Sequence, residues 1–178
     1  EGATVHKLVN ANIEGSTLNL EFGNATNVDD IISKNPYIIK WDRPADYDAN
    51  PDKYDIKNPV FTDVNFYPNN NWNYDNGVSG DNRVRFIGTF DKVTFEDLDR
   101  SILFVGAENT MYYPNGEGVT TIGACRAYFK IGEDGAGARQ ITGFNFNFDG
   151  GETTAVFDLN NNEQIINNTE WYTLDGRK

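Results

Sequence analysis

The stretch Phe144-Asn145-Phe146-Asn147-Phe148 carries the clearest signal of the fold class of this chain. Large apolar rings alternate with amides at every second position, a pattern typical of a strand that buries one face and leaves the other in water. A helix would bury one side with a period near 3.6, which this strict alternation does not follow. The stretch therefore predicts a half-buried β-strand.

The same alternation recurs along the chain between turn signals. The pairs Asn76-Gly77, Asn115-Gly116 and Asp149-Gly150 suit the positive φ angles of tight turns. About ten short strands at this spacing, each with one apolar face, predict antiparallel sheets covered on one side. The predicted strands span residues 5–9, 18–22, 37–41, 60–66, 84–90, 102–105, 125–131, 144–148, 155–159 and 171–174.

We expect an all-β fold, an antiparallel β-sandwich of the jelly-roll or immunoglobulin-like kind, formed by residues 1–178 as a single domain. A barrel is the alternative, because alternation is the same in both architectures. One or two very short helices are also predicted. Asn27 would cap a turn that runs to Ile32, and Thr94 would cap one that runs to Leu98.

Composition excludes several classes of function. The formal net charge is −12, and no basic patch is visible, so we expect no nucleic-acid partner. No stretch approaches the roughly 20 apolar residues that span a bilayer, so we expect no membrane insertion by this segment. With a single cysteine, no internal disulfide can form. We expect the isolated domain to be a monomer.

The residues that usually carry catalysis are scarce. A nucleophile–base pair needs a histidine, and the chain has one, His6, which we expect at a surface position of a strand. Cys125 belongs to an alternating apolar face, which predicts a small buried hydrophobe. A fragment of a glycoside hydrolase is a distant alternative, because among 27 acidic residues some pair has a suitable separation by chance. We predict that the chain is not an enzyme.

An acidic segment suggests a calcium site as an alternative to a solvated loop. It places oxygen side chains at alternate positions, as the first half of a calcium loop does: Asp46, Asp48, Asn50 and Asp52. The second half fails, because Pro51 stands where such a loop needs glycine and Lys57 where it needs glutamate. The segment is therefore not an EF-hand, and only a looser site completed by Asp42 or Asp55 stays open.

Residues 66–77 combine aromatic and amide side chains in a predicted loop or hairpin. Sugar-binding sites often combine flat rings that stack on C–H surfaces with polar groups that bond hydroxyls, and loops on rigid scaffolds often carry function. The candidate stacking platforms are Tyr67, Trp72 and Tyr74, and the candidate polar contacts are Asn71, Asn73 and Asp75. The alternative is that Trp72 and Tyr74 cover one end of the fold.

The order of several segments resembles a C-terminal β module of secreted and surface proteins of Bacteroidetes that bear leucine-rich or immunoglobulin-like repeats. The segments are NPYIIKW (35–41) with NPVF (58–61), FIGTF (86–90) with LFVGAENTMYYP (103–114), and IGACRAYF (122–129) with WYTLDGRK (171–178). The resemblance covers residue 16 to the end and departs from the pattern between Tyr67 and Asp81. It implies a β-sandwich, an extracellular or cell-surface location and no known enzymatic activity. Residues 170–178 look like the start of a C-terminal tail motif.

These observations predict a non-catalytic extracellular module with a structural or adhesion role near the C-terminus of a longer bacterial protein. Its partner would be a host protein, a matrix protein or a glycan. The alternative is a carbohydrate-binding module that uses residues 66–77. No cofactor is expected apart from the calcium ion considered above.

Overall fold

The computed structural model describes residues 3–24, 35–41, 45–47, 49–50, 73–96, 99–105, 111–114, 120–133, 140–148 and 151–153. Within these residues the chain forms twelve strands and one 3-10 turn at Gly80–Asn82. The strands are β1 (Ala3–Glu14), β2 (Thr17–Asn24), β3 (Tyr37–Trp41), β4 (Asn73–Asp75), β5 (Val84–Thr89), β6 (Val93–Phe95), β7 (Ile102–Val105), β8 (Met111–Tyr112), β9 (Thr120–Ile122), β10 (Arg126–Ile131), β11 (Gly143–Phe148) and β12 (Gly151–Thr153). The all-β prediction is confirmed.

The first sheet has five strands in the order β12-β11-β2-β1-β3. β1 and β2 form a tight hairpin, in which Gly15 adopts a φ of 60° that favours glycine. β2 and β11 pair in parallel, whereas the other pairs of this sheet are antiparallel. A parallel pair needs a long crossover, and here the paired residues Asn19 and Asn145 are 126 positions apart in the chain.

The second sheet also has five strands, in the order β4-β5-β10-β7-β8, and all its pairs are antiparallel. β5 and β10 form its centre, with Phe86 opposite Phe129. β6 and β9 make a separate two-stranded sheet. This small sheet contacts the second one where the ring of Phe95 meets the ring of Tyr128 at 4.9 Å between centroids.

Apolar side chains from both five-stranded sheets share one hydrophobic core. Phe22 of the first sheet packs edge to face on Phe86 of the second, with 6.4 Å between ring centroids. Phe22 also stacks on Phe148 at 5.1 Å, so the alternating phenylalanines of β11 enter the same core. The buried members are Leu8, Ala11, Leu18, Leu20, Phe22, Val84, Phe86, Leu103, Met111, Phe129, Ile131, Ile141, Phe144, Phe146 and Phe148.

The helix predicted after Thr94 is wrong, because Thr94 and Phe95 belong to β6 and pair with β9. The hydroxyl oxygens of Thr94 and Thr121 lie 3.3 Å apart, and Phe95 is buried, so a β-branched residue and an aromatic one favour the strand over the cap. Several predictions lie outside the described residues: the helix at 27–32, the strands at 60–66, 155–159 and 171–174, the turns at Asn115-Gly116 and Asp149-Gly150, and the tail at 170–178.

Candidate functional site

The predicted sugar-binding segment is described only at its C-terminal end. Tyr67, Asn71 and Trp72 lie outside the described residues, whereas Asn73, Tyr74 and Asp75 form β4 at the edge of the second sheet. Successive residues of a strand point to opposite faces, so β4 does not bring Tyr74 and Asp75 together on one side.

Tyr74 packs against the hydrophobic core and is half-buried. Burial raises the pKa of its hydroxyl above the ordinary value, and a backbone hydrogen bond with Ala11 opposes that rise. Part of the ring surface that stacking on a sugar would use is therefore engaged in packing.

Asp75 is held by the loop that follows it. Its carboxylate forms an ion pair with Arg83, whose Nε donates to Oδ2 at 3.1 Å, and Oδ1 accepts the Gly77 backbone N–H at 2.9 Å. The hydrogen bond from Arg83 is the main reason that the pKa of this carboxyl is lowered. These bonds close the β4–β5 hairpin, so both carboxylate oxygens of Asp75 act within the protein.

Asn76 organises the same hairpin, a role that the sequence analysis did not assign to it. Its Nδ2 donates to the carbonyl oxygens of Ala11 at 3.2 Å and Asn82 at 3.0 Å. Its Oδ1 accepts the backbone N–H groups of Val84 at 3.0 Å and Val78 at 3.2 Å. One amide thus joins β1, the loop and the start of β5.

The turn predicted at Asn76-Gly77 is confirmed, because Gly77 has a φ of 71°. The local signal for Asn76 was its place before glycine, which marks turns in which asparagine bonds its own backbone neighbours.

The predicted calcium loop is described at Asp46 and Asn50, and both are exposed. The backbone N–H of Asn50 donates to the carbonyl oxygens of Asp46 at 3.1 Å and Tyr47 at 2.9 Å. Asp48 and Asp52 lie outside the described residues. In the part of the chain that the structure describes, no group of three or more histidine, cysteine or carboxylate side chains could hold a metal. The calcium site stays a prediction.

His6 is buried, with 3% of its surface exposed, so the prediction of a surface position is wrong. Its ring meets Phe148 edge to face at 4.8 Å, and Nε2 lies 2.8 Å from the hydroxyl oxygen of Thr4 in a hydrogen bond. Alternation was ambiguous here because apolar residues occupy both faces of β1. A register shift between Leu8 and Asn10 also changes which residues face the core.

Cys125 is exposed, so the prediction of a buried hydrophobe is wrong as well. β10 begins at Arg126, and Cys125 precedes it with a φ of 56°, outside the alternation that places Phe129 and Ile131 in the core. The Cys125 backbone N–H donates to the Thr89 carbonyl at 2.8 Å, which holds the turn in place.

The outward surface of the first sheet carries a polar cluster that sequence reasoning missed. We call it the amide face, and it consists of Asn10, Asn12, Asn19, Glu21, Asn145 and Asn147. It spans β1, β2 and β11, on the side opposite the buried residues of these strands.

Strand register aligns the amide face in two rows. In the first row, Asn12 lies opposite Asn19, which lies opposite Asn145. The Nδ2 of Asn145 donates to the Oδ1 of Asn19 at 2.7 Å. The alignment joins residues that are far apart in the chain, which is why alternation alone did not reveal it.

In the second row, Asn10 lies opposite Glu21, which lies opposite Asn147. The Nδ2 of Asn10 donates to the Glu21 carboxylate at 3.5 Å. The β1 side of the face is exposed to water, whereas Asn145 and Asn147 on β11 are half-buried. The face therefore offers hydrogen-bond donors and acceptors in a regular array.

Comparisons with known proteins found no family model, no curated protein and no solved structure that matches this chain. Among the described residues, no helix has the length and apolar character needed to cross a membrane.

Proposed function

We propose that this chain is a non-catalytic interaction module of a secreted or cell-surface bacterial protein, built as a β-sandwich of the jelly-roll or immunoglobulin-like kind. The observation that carries the proposal is the position of its polar side chains. They form a broad array on the outer face of a sheet, where a macromolecule can make contact.

Packing supports the sandwich architecture. The edge-to-face contact between Phe22 and Phe86 joins the apolar faces of two five-stranded sheets. A sandwich buries the inner faces of two sheets against each other and leaves the outer faces for solvent or for partners. The location of the amide face on an outer surface fits this arrangement.

The surroundings of His6 and Asp75 support a non-catalytic role. His6 packs on Phe148 in the core, which suits structure better than proton transfer with a substrate. The described carboxylate of Asp75 is tied to Arg83 within a hairpin. The extracellular location rests on the resemblance of residues 16–178 to surface modules.

The purified 178-residue chain tests this proposal. It would be incubated with panels of glycosides, esters and peptides, and we expect no turnover above buffer. Turnover that a single point substitution abolishes would overturn the non-catalytic role. Antibody labelling of intact producing cells tests location, and we expect surface staining without permeabilisation.

Carbohydrate binding is the specific interaction that we favour, and the amide face is the observation that favours it. The alternative placement of such a site at residues 66–77 stays a prediction, because Tyr67 and Trp72 lie outside the described residues.

A further inference from the structure

We propose that the amide face of the first sheet binds a neutral oligosaccharide. This inference deepens the proposed interaction role, on which it rests, and it places the ligand on a different part of the molecule from residues 66–77.

The composition of the amide face goes against strand propensity. Asparagine is depleted in strands, where β-branched and aromatic residues pack better. Here it occupies both positions between the phenylalanines of β11, the position between Leu18 and Leu20, and two exposed positions of β1. Local rules are broken chiefly where function requires it, and here five departures fall on one surface.

The geometry of the amide face suits a chain of sugar hydroxyls. Each asparagine supplies two N–H donors and one carbonyl acceptor, and a hydroxyl is both a donor and an acceptor. Neighbouring strands lie about 4.8 Å apart, and successive outward residues of one strand about 6.8 Å apart. The rows Asn12–Asn19–Asn145 and Asn10–Glu21–Asn147 therefore form a grid that can bond several hydroxyls of a bound oligosaccharide.

Part of the hydrogen-bonding capacity of the face is unused within the described residues. The Oδ1 atoms of Asn145 and Asn147 are shielded from water and have no hydrogen-bond partner in this part of the chain. Shielded polar atoms without partners are uncommon in native proteins. Because these two oxygens are shielded, a ligand makes its contacts at the exposed side of the face, formed by Asn10, Asn12 and Glu21.

Charge selects a neutral ligand. Glu21 lies in the second row, Glu14 lies at the end of β1, and the whole chain has a formal net charge of −12. Sialylated, sulfated or phosphorylated glycans would be repelled by this field. A neutral glycan is not repelled, and one of its hydroxyl groups can donate a hydrogen bond to the Glu21 carboxylate.

The test is a titration of the 178-residue chain with neutral and acidic oligosaccharides, chosen from a glycan array and repeated with chelator. The informative variant is Asn10→Ala with Asn12→Ala, because both residues are exposed and their amides bond only surface carboxylates among the described contacts. Loss of two hydrogen bonds to the ligand predicts binding weaker by about tenfold or more. The matched control is Asn82→Ala, an exposed asparagine outside the first sheet.

Weakened binding of a neutral glycan by the double variant, with binding by the Asn82→Ala variant and both melting temperatures unchanged, supports the proposal. The absence of binding to every glycan on the array overturns the inference. It does not affect the proposed interaction module, which enzymatic turnover would overturn. Binding lost through Trp72→Ala but kept by the double variant overturns the inference and moves the site to residues 66–77. Loss only with chelator, or a preference for acidic glycans, overturns it as well.

Discussion

Phe22 of β2 and Phe86 of β5 meet edge to face, with ring planes at 88°, and they join the two five-stranded sheets of the described residues. The two residues are 0% and 2% exposed, so the contact lies in the shared core. Phe22 also stacks on Phe146 and Phe148 of β11, at 5.9 and 5.1 Å. One side chain thus connects β2, its parallel neighbour and the opposite sheet.

Replacing Phe22 with alanine should lower the free energy of unfolding by about 3–5 kcal/mol, because the cavity removes contacts from both sheets. Urea denaturation measures this change. Phe90→Ala is the control, since Phe90 is 49% exposed. We expect it to change stability by less than about 0.5 kcal/mol. Equal losses of unfolding free energy in the two variants would contradict a central position of Phe22 in the core.

Tyr113 connects the end of β8 to the start of β11 through its hydroxyl group. The hydroxyl donates to the Ile141 carbonyl at 2.9 Å and accepts the Ile141 N–H at 2.7 Å. Tyr113→Phe would leave both backbone groups of the buried Ile141 without this partner, at a cost of about 1–3 kcal/mol. Tyr112→Phe, at an exposed position, should be nearly neutral in the same urea titration. Equal stabilities of the Tyr113→Phe and Tyr112→Phe variants would argue against the hydrogen bonds between Tyr113 and Ile141.

Alkaline conditions should destabilise the protein. Burial raises the pKa values of Tyr74 and Tyr113 above the ordinary value of 10.0. The unfolded chain then releases protons near pH 10 that the folded chain retains. The resulting stability is fully present below pH 10 and is lost as the pH rises through the folded pKa values. The urea midpoint should fall as the pH is raised from 8 to 11, and the midpoint of the Tyr113→Phe variant should fall less steeply. A midpoint that rises with pH would contradict the predicted loss of stability.

Asn76→Ala should destabilise the β4–β5 hairpin, because Asn76 is half-buried and its side chain is bonded on both sides. The substitution removes the four hydrogen bonds that the side chain makes to β1, the loop and β5. We expect a loss of roughly 2–3 kcal/mol, because backbone groups lose their partners. Amide hydrogen exchange at Val84 should accelerate, whereas Asn82→Ala should leave it unchanged. Unaltered exchange in the Asn76 variant would show that the loop holds without the amide.

The thiol of Cys125 should be labelled stoichiometrically in the folded protein, because the residue is exposed in a turn before β10. A chromogenic thiol reagent in the absence of denaturant measures the extent of reaction, and Cys125→Ser controls for side reactions. Labelling that requires denaturant would show that Cys125 is buried, as alternation predicts.

Much of the strand content could be predicted, because alternation is local. The predicted strands at 37–41, 102–105 and 144–148 match β3, β7 and β11 closely. β1 extends to Glu14, beyond its predicted end. The prediction stops early because Asn10 and Asn12 are polar and because a register shift between Leu8 and Asn10 interrupts the alternation.

The candidate site could be predicted only in part. The pattern of aromatic and polar residues in the sequence points to Tyr74 and Asp75, which the fold uses for core packing and for the ion pair with Arg83. The same pattern does not single out Asn19 and Asn145, which look like ordinary outward positions within their own strands. Their importance depends on the strand that each one neighbours.

Half-buried strands and tight turns follow from the amino-acid sequence alone, because side-chain period and turn chemistry act over a few neighbouring residues. Tertiary folding sets the order of the strands, the burial of His6 and the exposure of Cys125. It also aligns Asn19 with Asn145, which are 126 positions apart. Such features depend on strand register, which arises from pairing between distant segments, and a shift of one residue would turn every side chain of a strand to the opposite face.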